Sequence, residues 1–160
     1  MRVEIRPSIE SDIDAIESDI RPADVLEMRA LGTTTRDAMR QGLGLSDWAL
    51  TGLLDDIPVC MFGVAPFDVL LGKGVPWMIA ANGLERGQMQ FLRKCRPVVG
   101  WMLESYPNLS NLVHAENAIA IRWLRWLGFV FVADPDTGRP MEFNVNGFAF
   151  NAFTQEKPRV

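Results

Sequence analysis

Residue types that carry much of protein chemistry are scarce in this chain of 160 residues. It contains one histidine, His114, one tyrosine, Tyr106, and two cysteines, Cys60 and Cys95. A single histidine excludes metal sites built from two or three imidazoles, and we expect no metal site. Two cysteines far apart exclude both a disulfide framework and a CxxC motif. These absences exclude whole classes of chemistry without indicating one.

Long apolar runs are also absent. No stretch approaches the roughly 18 consecutive apolar residues of a membrane-spanning helix, and the N-terminus turns acidic where a signal peptide would need an apolar segment. We therefore expect a cytoplasmic protein with no membrane partner. The composition is 48% hydrophobic and 22% charged, which is typical of a soluble globular protein, and the length predicts a single domain covering residues 1–160.

Charge is unevenly distributed along this net acidic chain. Residues 1–80 hold 13 acids and 7 bases, whereas residues 81–160 hold 7 acids and 9 bases. The second half includes an acid-free basic stretch made of Arg86, Arg93, Lys94 and Arg96. Such a stretch suits a phosphate, although it is more often simply the solvent-facing side of a helix. The overall negative charge argues against nucleic-acid binding, and we expect none.

Apolar spacing and capping residues predict five helices. The clearest covers residues 118–127, where Asn117 caps the first turn and Gly128 ends the helix. Residues 89–106 are helical in composition, but Pro97 and Gly100 predict a kink or a break. The N-terminal predictions are a helix carrying Ile9, Ile13, Ile16 and Ile20 with Ser8 or Ser11 as N-cap, a second from Pro22 to Gly32, and a third after Thr35 ending near Gly42 or Gly44.

Short apolar runs between turn residues predict the strands. They cover residues 3–6, 48–54, 59–67, 75–81, 109–114, 129–133 and 148–153. An Asn146-Gly147 turn precedes the last of them. Because residues 59–64 are apolar on both faces of the predicted strand, we expect a mixed sheet with helices on both faces, an α/β fold.

One segment, residues 113–129, has a distinctive spacing: VHAENAIAIRWLRWLGF. Asn117 is followed three residues later by Ala120, and eleven and twelve residues later by Gly128 and Phe129. With the order of elements, this pattern resembles the late strand and helix of the GNAT (Gcn5-related N-acetyltransferase) superfamily. The opening Ile5-Arg6-Pro7 is similar to the family's first strand. The resemblance implies a GNAT-like α/β fold with a mixed, mostly antiparallel central sheet.

The resemblance also implies a function, an N-acyltransferase that uses acetyl-CoA, with an acceptor that the sequence does not reveal. In this family the pyrophosphate binds backbone amides at the start of the central helix. The pantetheine arm enters between two splayed strands, here 75–81 and 109–114. The residues that align with this cofactor site are Arg86, Gly87, Gln88 and Asn117.

Departures from the family pattern leave an alternative open. Met89 and Phe91 stand where the pyrophosphate loop has glycines, and such side chains would occupy the volume of the phosphates. Leu124 stands where the family commonly has a tyrosine. The alternative is a catalytically inactive GNAT-fold protein that resembles small phage-encoded GNAT-like proteins. It would act in virion assembly or as an internal virion component, in the host cytoplasm or the virion, with phage assembly proteins as partners.

Spacing singles out no catalytic residue. Tyr106 lies outside the motif, and Glu85, Glu116 and His114 all stay open as general bases. Apart from a CoA-type small molecule or phage proteins, a second copy of the chain is a candidate partner, through the late helix or the C-terminal strands.

Overall fold

A computed structural model describes residues 1–159, and a mixed sheet forms its centre. Its strands are β1 (Val3–Pro7), β2 (Trp48–Leu54), β3 (Ile57–Asp68), β4 (Lys73–Ala80), β5 (Asn108–His114), β6 (Val130–Phe131), β7 (Glu142–Val145) and β8 (Phe148–Glu156). The order across the sheet is β1-β2-β3-β4-β5-β8-β6, and β7 also pairs with β8. Neighbouring strands run antiparallel except β4 and β5, which are parallel.

Helices cover both faces of this sheet. They are α1 (Ser11–Glu17), α2 (Pro22–Ala30), α3 (Thr35–Leu45), α4 (Gln88–Ser105) and α5 (Ala118–Trp126), and a 3-10 turn (Asn82–Gly87) leads into α4. Trp77 and Ile79 of β4 pack with α1 and α3, whereas Met78 and Ala80 pack in the core that contains α4. This alternation places α1 and α3 on one face and α4 on the other. The predicted α/β architecture is confirmed.

Two-residue turns close the tight hairpins. Asp55 and Asp56, between β2 and β3, have φ values of 49° and 69°. Asn146 and Gly147, between β7 and β8, have φ values of 52° and 88°. Successive positive φ values are typical of type I′ turns, whose twist matches that of the strands, and the predicted Asn146-Gly147 turn is confirmed.

Two helix predictions are wrong in detail, the break in α4 and the serine cap of α1. α4 runs unbroken through Pro97 and Gly100, which are both exposed, so no buried packing depends on that side of the helix. The first helix begins without a side-chain cap from Ser8 or Ser11. Instead, the carboxylate of Asp12 accepts a hydrogen bond from the Ile9 backbone N–H (2.9 Å). α3 ends at Leu45, one residue after Gly44, so its predicted end near Gly44 is confirmed.

The C-terminal strands also differ from the prediction. β6 has only two residues, Val130–Phe131, where five were expected. β7, Glu142–Val145, was not predicted, although its four residues alternate between polar and apolar; the run is short, and three of the four residues are exposed. None of the helices within residues 1–159 is both long and apolar enough to cross a membrane.

Candidate active site

β4 and β5 diverge soon after they begin. Parallel pairing joins only Lys73 with Asn108 and Gly74 with Leu109. Beyond these rungs the strands separate into a V-shaped gap, which we call the β4–β5 gap, with its open end near Ala80. A cavity of about 320 Å³ lies along this gap and receives side chains from both faces of the sheet. The splayed strands implied by the sequence are therefore present.

Strand alternation determines which backbone groups of β4 face the gap. The Ala81 N–H donates to Val59 O at the β3 side (2.7 Å). In an antiparallel ladder alternate residues point to opposite edges, so Pro76, Met78 and Ala80 direct their backbone polar groups into the gap. At the open end of this edge, Ala80 O already accepts from the Arg21 N–H (3.1 Å).

Asn111 joins the two strands just above the closed end. Its Nδ2 donates to Pro76 O of β4 (2.8 Å), and its Oδ1 accepts from the Leu112 N–H of β5 (2.7 Å). One side-chain amide therefore replaces the rung that the diverging backbones no longer form. Between this bridge and Ala80, the backbone N–H and C=O of Met78 face the cavity.

At the open end of the gap, two carboxylates of α2 accept hydrogen bonds from backbone N–H groups of β4 and β5. Asp24 Oδ2 accepts from the Ala80 N–H (2.8 Å), and Glu27 Oε1 accepts from the His114 N–H (2.6 Å). Residues three apart share one face of a helix, so α2 directs both carboxylates at the gap. Both are buried.

Arg21 and Asn117 extend this polar cluster. The Arg21 guanidinium lies 3.7 Å from Asp24 Oδ1, donates to Asn117 Oδ1 (3.2 Å) and lies 4.9 Å from the centre of the Trp123 ring. Asn117 Oδ1 also accepts from the Ala120 N–H (3.4 Å), which confirms the predicted cap of α5. Asn117 Nδ2 is buried and has no hydrogen-bond partner among residues 1–159. An unpaired buried donor at the cavity wall suits an acceptor atom on a ligand.

Glu27 titrates near neutrality. Burial raises the pKa of its carboxyl group to about 7 and repulsion from Asp24 acts in the same direction, while the His114 N–H and the charge of Arg21 oppose the shift. Burial likewise raises the pKa of Asp24, against the charge of Arg21 and the Ala80 N–H. The second oxygen of Glu27 has no hydrogen-bond partner in the described part of the chain. Glu27 can therefore take up a proton near pH 7.

An apolar groove between α4 and α5 leads to the gap. Its walls are formed by four residues of α4 and by residues of α5 and its C-cap: Cys95, Val98, Val99 and Met102, and Ala120, Trp123, Leu124 and the C-cap Leu127. The Trp123 indole donates to Gln88 Oε1 (2.9 Å), which links the start of α4 to α5. The groove and the carboxylate cluster therefore meet at the same gap.

No protein-family model matches the sequence, and no curated protein is significantly similar to it. Solved structures are similar over almost the whole chain. The *Escherichia coli* ribosomal-protein-S18-alanine N-acetyltransferase shares 13% identity over 99% of this chain and 96% of its own, with a TM-score of 0.67. A GNAT-family acetyltransferase from Bacillus anthracis shares 12% identity over 98% of this chain and 95% of its own, with a TM-score of 0.69. A Bacillus subtilis acetyltransferase in complex with CoA shares 10% identity over 97% of this chain and 97% of its own, with a TM-score of 0.62.

The chain has the GNAT fold. Of the four residues that the resemblance aligned with the cofactor site, Arg86, Gly87 and Gln88 lie together at the start of α4. Arg86 is exposed, and Gln88 is bonded to Trp123. Gly87 is buried, and a Cβ there would lie 2.9 Å from the Leu54 side chain, so core packing accounts for this glycine. Asn117 begins α5, and the hydrogen bond between Gln88 and Trp123 connects the two regions.

Met89 and Phe91, the two bulky residues that stand in place of the family's glycines, point in different directions. Phe91 is buried in the core, edge-on to Phe62 with ring centres 5.6 Å apart. The expectation that Phe91 occupies the phosphate volume is therefore wrong, because its side chain points at the sheet. Met89 is 45% exposed at the first turn of α4.

The segment that aligns with the family's glycine loop, residues 86–91, spans the end of the 3-10 turn and the first turn of α4, and Asp19 holds the first residues of the 3-10 turn. The Asn82 N–H donates to Asp19 O (2.8 Å), and the Gly83 N–H donates to Asp19 Oδ2 (3.0 Å). One amide of the 3-10 turn, ahead of the aligned segment, is thus already satisfied by a carboxylate of the chain. Any phosphate would have to be held by Arg86 and the amides that follow it.

The other candidate acids and bases lie away from the cavity. The Tyr106 hydroxyl donates to Asp47 (2.6 Å), and this bond, with burial, raises its pKa to about 12. Glu85 and Glu116 are exposed. The His114 ring packs against Phe150 with ring centres 5.4 Å apart, and its Nδ1 accepts from the Glu116 N–H (3.1 Å).

The rest of the basic stretch lies on the solvent-facing side of α4, and both cysteines are buried. Arg93, Lys94 and Arg96 are exposed on α4, and Arg96 lies 3.8 Å from the centre of the Trp126 ring. Cys60 and Cys95 are buried, and burial raises the pKa of both thiols.

Sequence reasoning missed the cluster on α2. Arg21, Asp24 and Glu27 recur at intervals of three, and this spacing continues to the buried Ala30. A charged row on the inward side of a helix was the available signal. This signal could not be interpreted from the sequence, because residues 21–30 have no apolar stripe that would show which side of the helix faces inward.

Proposed function

We propose that this chain is a GNAT-fold N-acyltransferase that transfers an acyl group from a CoA thioester to an amine, with Glu27 as general base. The observation that carries the proposal is the position of Glu27. It is a buried carboxylate with a pKa of about 7 and an unpaired oxygen, at the open end of the β4–β5 gap. A base whose pKa lies near the working pH is well matched to removing a proton from an amine.

The chain offers matching groups for an acyl-CoA donor. The groove between α4 and α5 is apolar along its length, as a pantetheine arm requires. Asn117 Nδ2 is an unpaired donor at its wall, and the Met78 backbone faces the gap. The *Bacillus subtilis* acetyltransferase with the same fold is in complex with CoA, which supports this class of donor.

The transfer needs one base and one oxyanion donor. Glu27, deprotonated, takes a proton from the amine nitrogen as the nitrogen forms a bond to the thioester carbonyl carbon. The Met78 N–H donates to the carbonyl oxygen as negative charge develops there. The C–S bond then breaks, and the thiolate takes a proton from solvent. Asp24 stays engaged with Arg21 and the Ala80 N–H, so Glu27 is the carboxylate available for this step.

Replacement of the base tests the proposal. Thiol release from acetyl-CoA is measured with a panel of primary amines for the wild type, Glu27→Gln and Glu116→Gln. Glutamine keeps an oxygen for the His114 N–H but cannot accept the proton. We expect kcat/KM to fall by about 100-fold or more in Glu27→Gln, a typical contribution of a general base. Glu116→Gln is the matched control, because Glu116 is exposed, and it should match the wild type. Equal rates for wild type and Glu27→Gln would contradict the assigned role.

Specific contacts favour a second candidate, the catalytically inactive GNAT-fold protein. Asp24 and Asp19 already occupy the Ala80 and Gly83 amides, and the bond between Gln88 and Trp123 spans from α4 to α5. In a virion component that assembles with phage proteins, such contacts would only need to hold the fold together. Absence of both acetyl-CoA binding and thiol release would support this candidate over the enzyme.

A further inference from the structure

On the face of the sheet that carries α2 and α3, the cavity wall is mostly apolar. The lining residues there include Met28, Leu31, Ala38, Leu45 and Trp77. The Trp77 indole is fixed in place because its Nε1–H donates to Ser46 Oγ (2.7 Å). It also lies directly against Gly42, where any side chain would collide with the ring. The wall therefore presents a rigid aromatic surface.

Two of these residues are accessible from outside. Leu31 is 42% exposed and Leu45 is 59% exposed, although both line the cavity. They mark the entrance on this face. Glu27 and Trp77 line the same cavity as the two leucines, so apolar surface on a molecule that enters beside the leucines would be buried against the same wall.

The charged side chains that line the cavity offer an entering molecule a carboxylate but no free cation. Among the described residues that line the cavity, the one cation is Arg21, which is bound to Asp24 and Asn117. Glu27 supplies the carboxylate that meets the entering molecule. A ligand with its own carboxylate would find no free cation here and would be repelled by the buried carboxylate of Glu27.

We infer that the acceptor is a primary amine joined to an apolar, ring-sized group and free of carboxylate, a class of substrate defined by the Trp77 wall, the leucine entrance and Glu27. This inference rests on the proposed acyl transfer for its reaction, but the binding site can be tested without the donor.

Binding of three amines tests whether the site selects for a ring and against a carboxylate. Phenethylamine, phenylalanine and putrescine are titrated into the full chain by calorimetry at pH 8. Phenylalanine adds a carboxylate to the first probe, and putrescine replaces the ring-bearing end with a second amine. We expect phenethylamine to bind at least tenfold more tightly than either of the others. Equal or tighter binding of phenylalanine or putrescine, or no binding of phenethylamine, would overturn the inference.

A charge placed at the entrance tests its location. Leu45→Lys puts a cation beside the path, and Leu26→Lys is the matched control, because Leu26 is 51% exposed on α2 and does not line the cavity. We expect Leu45→Lys to weaken phenethylamine binding at least fivefold and to reduce its advantage over phenylalanine, while Leu26→Lys binds like the wild type. Unchanged binding in Leu45→Lys would place the amine elsewhere and overturn the inference.

Parallel thiol-release assays with acetyl-CoA separate the two proposals. Selective phenethylamine binding without thiol release would leave the amine site standing and remove the acyl transfer. Thiol release that is faster with putrescine or phenylalanine would keep the acyl transfer and overturn the apolar acceptor.

Discussion

Asp24 and Glu27, one helical turn apart on α2, accept hydrogen bonds from two different strands, at Ala80 of β4 and His114 of β5. Diverging strands leave N–H groups without ladder partners, and each such group costs on the order of 1–3 kcal/mol when buried unpaired. The two carboxylates remove that cost and keep the β4–β5 gap open. The same burial that makes them structural raises the pKa of Glu27 to about 7. One residue thus serves the fold and supplies the candidate base.

Loss of the Asn111 bridge should destabilise the closed end of the gap. Asn111→Ala leaves Pro76 O and the Leu112 N–H without the side-chain partners that they have in the structure. We expect a loss of about 1–3 kcal/mol in the free energy of unfolding, measured in urea. Ser110→Ala, at the exposed neighbouring residue, is the control and should change it by less than about 0.5 kcal/mol. Equal stability of the two variants would show that the amide bridge does not hold the strands.

The stability of the protein should fall between pH 5 and pH 8 because of Glu27. Its pKa rises from 4.5, the ordinary value, to about 7 on folding. The folded state therefore binds the proton more tightly, so this contribution is complete below the unfolded pKa and is lost as the pH rises through 7. The raised pKa of Asp24 acts in the same direction. We expect Glu27 to account for a loss on the order of 2 kcal/mol.

Glu27→Gln isolates this contribution, because glutamine cannot titrate but keeps an oxygen for the His114 N–H. Urea unfolding at pH 5 and pH 8 should show a smaller difference for the variant than for the wild type. A pH dependence that is identical in the two proteins would mean that Glu27 titrates at its ordinary pKa.

Asn117→Asp should separate ligand binding from stability. Aspartate caps a helix as well as asparagine does, and its charge faces Arg21, so the melting temperature should stay the same or rise. The substitution replaces the unpaired Nδ2 donor with an acceptor oxygen. We expect the Kd for CoA to increase about tenfold, which is the loss of one hydrogen bond of roughly 1.4 kcal/mol. Undiminished CoA affinity would show that Nδ2 does not meet the ligand.

Arg86 is the exposed cation at the start of α4 and the remaining candidate for a phosphate contact. Arg86→Ala should weaken CoA binding severalfold at low salt and by less at high salt, because an exposed ion pair is screened. Arg29→Ala, at an exposed arginine of α2, is the matched control. An affinity unaffected by Arg86→Ala would place the phosphates away from this turn.

The sequence predicted the fold from features that depend on local structure. Asn117 and Gly128 bound α5 because a cap and a positive φ of 97° are local requirements. The Asn146-Gly147 turn was evident for the same reason. The continuity of α4 through Pro97 was not predictable locally, because it depends on which side of the helix the sheet leaves exposed.

The site was predictable only in part. Arg86, Gly87, Gln88 and Asn117 were identified by resemblance, and their roles remain predictions. The carboxylates of Asp24 and Glu27 act on amides 56 and 87 residues away along the chain, so no local pattern reports their partners. The role of Asn111 likewise depends on the separation of β4 from β5, which only the assembled sheet defines.

Calorimetric titration of the wild-type chain with acetyl-CoA tests the central claim, that the β4–β5 gap is an acyl-transfer site, most directly. The account predicts a Kd tighter than about 100 µM, corresponding to roughly 5.5 kcal/mol. Absence of binding at millimolar acetyl-CoA would contradict it and leave the inactive GNAT-fold protein as the better description.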